Sequence, residues 1–168
     1  MTWHPFDLHP EYPPEGLPRP QLLARYGPGM TEHVRRFFAE RGLEYNPNPD
    51  VVPNTSDALR LTELARDLGL HGPLHDRLMD AYWAEAKDIG DADVLRAEAA
   101  TVGLPADDVD AVLAGDRFLA RVEASTREAH SFGANAVPAF LLDRRLLVLG
   151  AQPEQLFEQA FAQLEATA

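Results

Sequence analysis

The stretch Gly133-Ala134-Asn135-Ala136-Val137-Pro138-Ala139-Phe140 ends a helical pattern and leads directly into a strand pattern. Gly133 is a typical helix stop, because glycine adopts the left-handed backbone conformation without steric cost. A proline at the first residue of a strand, after a loop of small residues, predicts a rigid turn at Val137–Pro138. The bond is either cis or trans, and trans is the base-rate expectation because only about 5–6% of X–Pro bonds are cis.

A hairpin and a helix are predicted downstream of this stretch. Residues 139–143 and 146–149 have strand character, and Arg144-Arg145 lies between them as a tight turn. Gly150 ends the second strand. Residues 153–165 then form an amphipathic helix, with apolar residues on one face at Leu156, Phe157, Ala160, Phe161 and Leu164.

Upstream of the stretch, one extended segment precedes a long helical region. Residues 2–8 can be extended, and we expect them to join the hairpin as a third strand, because a lone hairpin is marginal in water. A proline-rich connection follows. Helical periodicity then predicts helices over residues 20–26, 31–41, 56–69, 73–87, 92–102, 105–114 and 116–131. The fold class is therefore α/β (α+β), with a majority of helix.

Composition excludes several classes of function. The formal net charge of −12, without a basic stripe, argues against nucleic-acid binding. The absence of cysteine excludes a thiolate metal site, a disulfide and a cysteine nucleophile in these 168 residues. No apolar run is long enough for a membrane span and the N-terminus lacks a signal-peptide pattern, so a cytoplasmic location is expected.

The order of these elements resembles the DsbA-like thioredoxin family. More closely it resembles the FrnE-type branch grouped with 2-hydroxychromene-2-carboxylate isomerases. Besides the loop and hairpin, the resemblance lies in Trp3-His4-Pro5-Phe6-Asp7-Leu8, Pro53-Asn54-Thr55, Tyr82-Trp83 and Asp88-Ile89-Gly90-Asp91. The matching pieces follow the family's order along essentially the whole chain.

The resemblance implies one domain, 1–168, with an incomplete thioredoxin-like sheet. Residues 1–19 and 133–168 would form the thioredoxin-like part, and 20–132 a helical insertion. It also implies that Ala136, Val137 and Pro138 form the family's cis-proline loop, which offers its backbone to an extended substrate peptide. The family normally starts with a central strand and a C-x-x-C helix, which would precede Thr2, so we expect the chain to be truncated at its N-terminus.

Three hypotheses about function remain open. The first is a DsbA-family thiol-disulfide oxidoreductase-like protein that is redox-inactive as given, so whether the chain is an enzyme stays open. The second is a non-catalytic peptide-binding or assembly module with the same fold. The third is a relative of the glutathione-dependent isomerases. The expected partners are an extended or unfolded peptide and a second copy that completes the sheet, with no nucleic acid, membrane or cofactor.

Few other residues are candidates for a site. Asn54 and Thr55 match a loop that approaches a ligand in the isomerase-like relatives, although a helix cap before Ser56 is the simpler interpretation. His71 and His75 have metal-ligand spacing, but Gly72-Pro73 between them makes a continuous helix unexpected there. Surface histidines are the preferred interpretation for this pair and for His4, so no metal site is predicted.

Overall fold

The computed structural model describes residues 1–166, except for the side chains of residues 26, 28 and 30. Helices account for 53% of the chain, which confirms the predicted majority of helix. No helix in the described part is long and apolar enough to cross a membrane. The helices are α1 (Arg19–Tyr26), α2 (Pro28–Ala39), α3 (Ser56–Asp67), α4 (His71–Trp83), α5 (Ala92–Thr101), α6 (Ala106–Ala114), α7 (Leu119–Ser131) and α8 (Glu154–Glu165). The strands are β1 (Leu17–Pro18), β2 (Val51–Val52), β3 (Ala139–Leu142) and β4 (Leu146–Leu149).

The described chain divides into two units. One unit contains Met1–Leu8 and Glu123–Ala168, and the other contains His9–Val122. The second unit begins and ends earlier in the chain than the helical insertion expected at 20–132. The bounds 1–19, 20–132 and 133–168 for the thioredoxin-like part and the insertion stay a prediction.

The unit His9–Val122 has a helical core. The predicted spacing in α3 places Leu61, Leu64 and Ala65 in this core, where they are fully buried beside Leu74 of α4 and other leucine, valine and alanine side chains. Leu68 lies outside it with 45% exposure, because α3 ends at Asp67.

A short ladder within this unit was not predicted from the sequence. Leu17 pairs with Val52 and Pro18 with Val51 in an antiparallel arrangement. The amide of Arg19 extends it by donating to the carbonyl of Asp50 at 2.8 Å. The sequence pattern does not predict this ladder, because the residues around it are rich in proline, which cannot donate a hydrogen bond to a partner strand.

The starts of α4 and α7 differ from the sequence-based expectation for identifiable reasons. α4 begins at His71 and is continuous through Gly72 and Pro73, so the expectation of a break between His71 and His75 is wrong. Proline is tolerated in the first turn, because its missing N–H would have no partner inside the helix there. α7 begins at Leu119 rather than at 116, since Phe118 has a positive φ of 68° and precedes the helix.

The unit of Met1–Leu8 and Glu123–Ala168 contains the predicted hairpin. β3 and β4 pair antiparallel, with Ala139 opposite Leu149 and Leu142 opposite Leu146. The positive-φ turn residues are Asp143 and Arg144, one position earlier than predicted. α8 packs on one face of the hairpin through Phe140 and Phe157, whose rings meet edge to face at 5.0 Å.

The expectation that residues 2–8 form a third strand of this sheet is wrong, because in the described chain the hairpin is a two-stranded sheet. Two hydroxyl groups of α7 hydrogen-bond to the backbone of this segment instead. Ser125 Oγ donates to the carbonyl of Pro5 at 2.7 Å, and the amide of Asp7 donates to Thr126 Oγ1 at 3.0 Å. Side-chain partners satisfy these backbone groups without a neighbouring strand.

Candidate functional site

The loop between α7 and β3, residues 133–138, is the first candidate site, and we call it the proline loop. It is anchored at Ala134, which is 4% exposed and whose amide donates to the carbonyl of Ala129 at 3.0 Å. The imidazole of His130 hydrogen-bonds to the carbonyl of Ala134 at 2.9 Å. Beyond this anchor, Asn135 to Pro138 are exposed, and the Val137–Pro138 peptide bond is cis.

The proline loop continues directly into the hairpin ladder. The amide of Gly150 donates to the carbonyl of Pro138 at 2.8 Å, which makes these two residues a hydrogen-bonded pair of the antiparallel ladder. Hydrogen-bonded and non-hydrogen-bonded pairs alternate along such a ladder. Phe140 and Leu142 therefore direct their backbone groups toward β4.

The same alternation turns the backbone groups of Ala139 and Leu141 toward the other edge of β3. Val137 lies in the bend that precedes this strand. We call these three residues the β3 edge. No described hydrogen bond uses the backbone of Val137, which is 54% exposed, and Leu141 is 37% exposed. Residues 133–142 carry no ionisable side chain.

This arrangement has the chemistry of an open strand edge. Open strand edges are templates for another strand, and natural proteins usually protect them with charge or with a covering element. The β3 edge has one proline at its entry and no charge, so it offers backbone hydrogen bonds on an apolar surface.

Asn54 and Thr55, the other predicted pair, lie in the unit His9–Val122. The Asn54 amide is engaged at both ends: Nδ2 donates to the carbonyl of Tyr12 at 2.8 Å, and Oδ1 accepts from the amide of Ser56 at 2.9 Å. Thr55 stands at the N-cap of α3 without a side-chain capping bond. A Cβ on Gly90 would lie 2.9 Å from the carbonyl oxygen of Asn54, so three loops meet closely here.

The histidine candidates do not form a metal centre in the described part of the chain. The rings of His71 and His75 stack with their centroids 5.9 Å apart, and no group of three or more potential ligands occurs among the described residues. Burial lowers the pKa of His71 below its usual value, helped by the charge of Arg66. His4 is exposed, as preferred from the sequence.

A further groove was not predicted from the sequence. It lies between β4 and α8 and has a volume of about 350 Å³. Its signal in the sequence is the glutamine repeat Gln155, Gln159 and Gln163 on α8, of which Gln159 and Gln163 line the groove. The sequence could not assign these glutamines to a site, because polar residues on an amphipathic helix usually face solvent.

Comparisons with known proteins indicate one family. A model of the DSBA-like thioredoxin domain matches residues 1–162. A probable DsbA oxidoreductase from Streptomyces coelicolor superposes with a TM-score of 0.86 and is 32% identical, over 97% of this chain and 74% of that chain.

Two further similarities are more distant. A candidate protein disulfide isomerase from Nitrosomonas europaea shares the fold, with a TM-score of 0.65 and 16% identity over 80% of this chain and 73% of that chain. The uncharacterised Bacillus subtilis protein YwbO is 26% identical over 165 residues, which are 96% of this chain and 80% of YwbO.

Proposed function

Because the chain belongs to the DSBA-like thioredoxin domain family, we propose that it binds extended peptides at the β3 edge and carries out no dithiol exchange by itself. The family and its mixed α/β thioredoxin-like fold with a helical insertion, both predicted from the sequence, are confirmed. The FrnE-type branch stays a prediction.

The observation that carries the peptide-binding proposal is the open β3 edge. A peptide strand added along β3 would pair with Ala139 and Leu141 and would end beside exposed Val137 in the proline loop. In this mode of recognition, main-chain hydrogen bonds supply affinity, and alternate side chains supply specificity. The uncharged surface favours apolar segments, which unfolded proteins expose.

The proposal that the chain is redox-inactive rests on its composition. Thiol–disulfide exchange requires a thiolate that attacks a disulfide sulfur and a second thiol that releases the mixed disulfide. The 168 residues contain no cysteine, so neither step has a sulfur atom on this chain.

Reduction of insulin by dithiothreitol tests the redox part. A DsbA-type oxidoreductase with its cysteines intact serves as the positive control, and the present chain is expected to leave the rate of insulin B-chain precipitation at the buffer value. Turnover above buffer would refute redox inactivity.

Binding of reduced, carboxymethylated insulin B chain tests the peptide part. Titration followed by backbone chemical shifts is expected to move the resonances of Val137, Ala139 and Leu141 first. Val137→Lys places a charge on the exposed edge and is expected to weaken binding about tenfold, since an uncompensated charge against an apolar strand costs roughly 1.4 kcal/mol or more. Gln155→Lys on α8 is the charge-matched control and should bind as the wild type does. Shifts confined to other surfaces would exclude the β3 edge.

A homodimer that completes the sheet, predicted from the sequence, would use the same edge. We propose it as the competitor of the peptide, because one edge accepts one strand. Light scattering after gel filtration measures it directly. If the protein is a monomer at all concentrations, the homodimer proposal is excluded. A peptide affinity that falls as the protein concentration rises would support the homodimer.

The glutathione-dependent alternative is not favoured. The Asn54 amide, which would face the ligand, donates to Tyr12 and accepts from Ser56. Isothermal titration with glutathione is expected to give no heat of binding. We also propose a cytoplasmic location, which fractionation of cells producing the native gene would check.

A further inference from the structure

The groove between β4 and α8 is a second candidate site, separate from the β3 edge. It has a volume of about 350 Å³, within the range of pockets that hold small ligands. One wall is β4 and the other is α8. Its lining consists of Leu146, Leu147, Val148, Leu149, Gln152, Leu156, Gln159, Ala160 and Gln163.

The lining is uncharged, although a quarter of the chain's residues are charged and the net charge is −12. A charged ligand would lose hydration in this groove without gaining an opposite charge, and that transfer is costly. The polar groups of the lining are the side-chain amides of Gln152, Gln159 and Gln163, which both donate and accept hydrogen bonds. The occupant that fits is uncharged and rich in amide groups.

The walls give the groove an elongated form. The lining of α8 runs from Leu156 to Gln163, about 10.5 Å at 1.5 Å per residue. The lining of β4 runs from Leu146 to Leu149, about 10 Å at 3.3 Å per residue. An extended peptide of roughly three or four residues has this length.

The outer edge of β4 supplies backbone groups along the groove. Since Phe140 and Val148 form a hydrogen-bonded pair of the ladder, Leu147 and Leu149 direct their backbone groups away from β3. Gln152 Nε2 already donates to the carbonyl of Leu149 at 2.7 Å, in the place where a neighbouring strand would donate. Leu147 lies opposite Leu141 in the ladder, in a pair whose backbone groups do not bond to each other.

The spacing of the glutamines matches an extended chain. Gln159 and Gln163 are four residues apart on α8, which separates them by about 6 Å along the helix axis. Residues i and i+2 of a strand, which point to the same side, are about 6.6–6.8 Å apart. One peptide can therefore meet Leu147 on one side and both glutamine positions on the other.

We propose that the β4–α8 groove binds an uncharged peptide segment in extended conformation, with its backbone paired to Leu147 and its outward amides bonded to Gln159 and Gln163. This site differs from the β3 edge, which lies on the opposite side of the hairpin. The two sites can be occupied independently.

Chemical-shift titration of the full chain with acetyl-Val-Thr-Val-Thr-amide tests the proposal. Saturable shifts are expected at 146–149 and 159–163. Gln159→Glu introduces a carboxylate into the groove and is expected to weaken this binding at least tenfold. Gln155→Glu makes the same change on the same helix outside the groove and is expected to change binding less than twofold. Acetyl-Val-Glu-Val-Glu-amide should bind at least tenfold more weakly than the uncharged peptide.

Several results would overturn the proposal. One is the absence of shifts at 146–149 and 159–163 at millimolar peptide. Another is equal binding of the charged and uncharged peptides, and a third is equal binding by the two glutamate variants. Shifts at these residues that depend on protein concentration without peptide would show that a second copy covers the groove. Binding at the β3 edge is read from Val137 and Ala139 in the same spectra, so the failure of either site is visible separately.

Discussion

Replacement of Arg60 by alanine is expected to be the most destabilising of the changes considered for the unit His9–Val122. Arg60 is 6% exposed and lies on α3. Its Nε donates to the carbonyl of Arg117 at 3.0 Å, and its Nη2 donates to the carbonyls of Val112 and Gly115. Its Nη1 pairs with Asp57 at 2.5 Å. One side chain thus holds the C-terminal end of α6 and the loop that follows against α3.

The magnitude follows from two contributions. The bond to the carbonyl of Val112 is buried, and a buried acceptor left without a donor costs about 1–3 kcal/mol. The three buried methylenes of Arg60 contribute roughly 0.8 kcal/mol each. Gly115 and Arg117 are exposed residues, so water can replace Arg60 as the partner of their carbonyl groups. Together these contributions give an expected loss of about 3–5 kcal/mol.

Urea unfolding followed by far-ultraviolet circular dichroism measures this loss. At about 2–4 °C per kcal/mol for a chain of this size, the melting temperature should fall by about 6–20 °C. Arg60→Met keeps most of the apolar packing and loses the donors, so about 1–3 kcal/mol should be lost. Arg96→Ala is the matched control, because Arg96 is 46% exposed and solvent screens its ion pairs with Asp93 and Asp110.

Two outcomes would refute this reasoning. If Arg60→Ala lost no more free energy of unfolding than Arg96→Ala, the buried bonds would not stabilise the fold. If Arg60→Met were as stable as the wild type, packing alone would account for the contribution of Arg60.

Three further predictions concern the same unit. Gly90→Ala should lower the free energy of unfolding by about 1–3 kcal/mol, since its methyl group would lie 2.9 Å from a main-chain oxygen. Gly72→Ala, in the first turn of a helix with open space around it, should not destabilise the protein. Equal stability of the two variants would contradict this prediction. The pKa of Glu85 is lowered to about 2, and the largest cause is its hydrogen bond to Arg77. A carboxyl NMR titration should show this pKa moving back toward 4.5 in Arg77→Met. An unchanged titration midpoint would show that the Arg77–Glu85 hydrogen bond does not lower this pKa. Burial lowers the pKa of His71, so the unfolded state binds the proton more readily than the folded state. The free energy of unfolding should therefore fall as the pH drops below about 6.5. In urea titrations His71→Asn should lose stability less steeply between pH 7 and 5, and a slope identical to that of the wild type would refute the assignment.

The sequence by itself determined the local elements and the family. The pattern around Ala139–Leu142 and Leu146–Leu149 predicts a hairpin, because strand periodicity and turn residues act over a few neighbouring residues. Gly69 and Gly133 mark the ends of helical patterns for the same reason, and both have positive φ. The absence of cysteine is also a property of the sequence alone, and it sets the redox part of the proposed function.

Only the tertiary structure decided where these elements find partners. Residues 2–8 have a strand-like pattern but hydrogen-bond to Ser125 and Thr126, more than a hundred residues away. The amide of Asn54 meets the carbonyl of Tyr12, and Arg60 meets the end of α6. The β4–α8 groove likewise exists only where a strand and a helix come together. Such contacts depend on distant segments meeting in space, and a pattern that repeats every two or four residues holds no information about them.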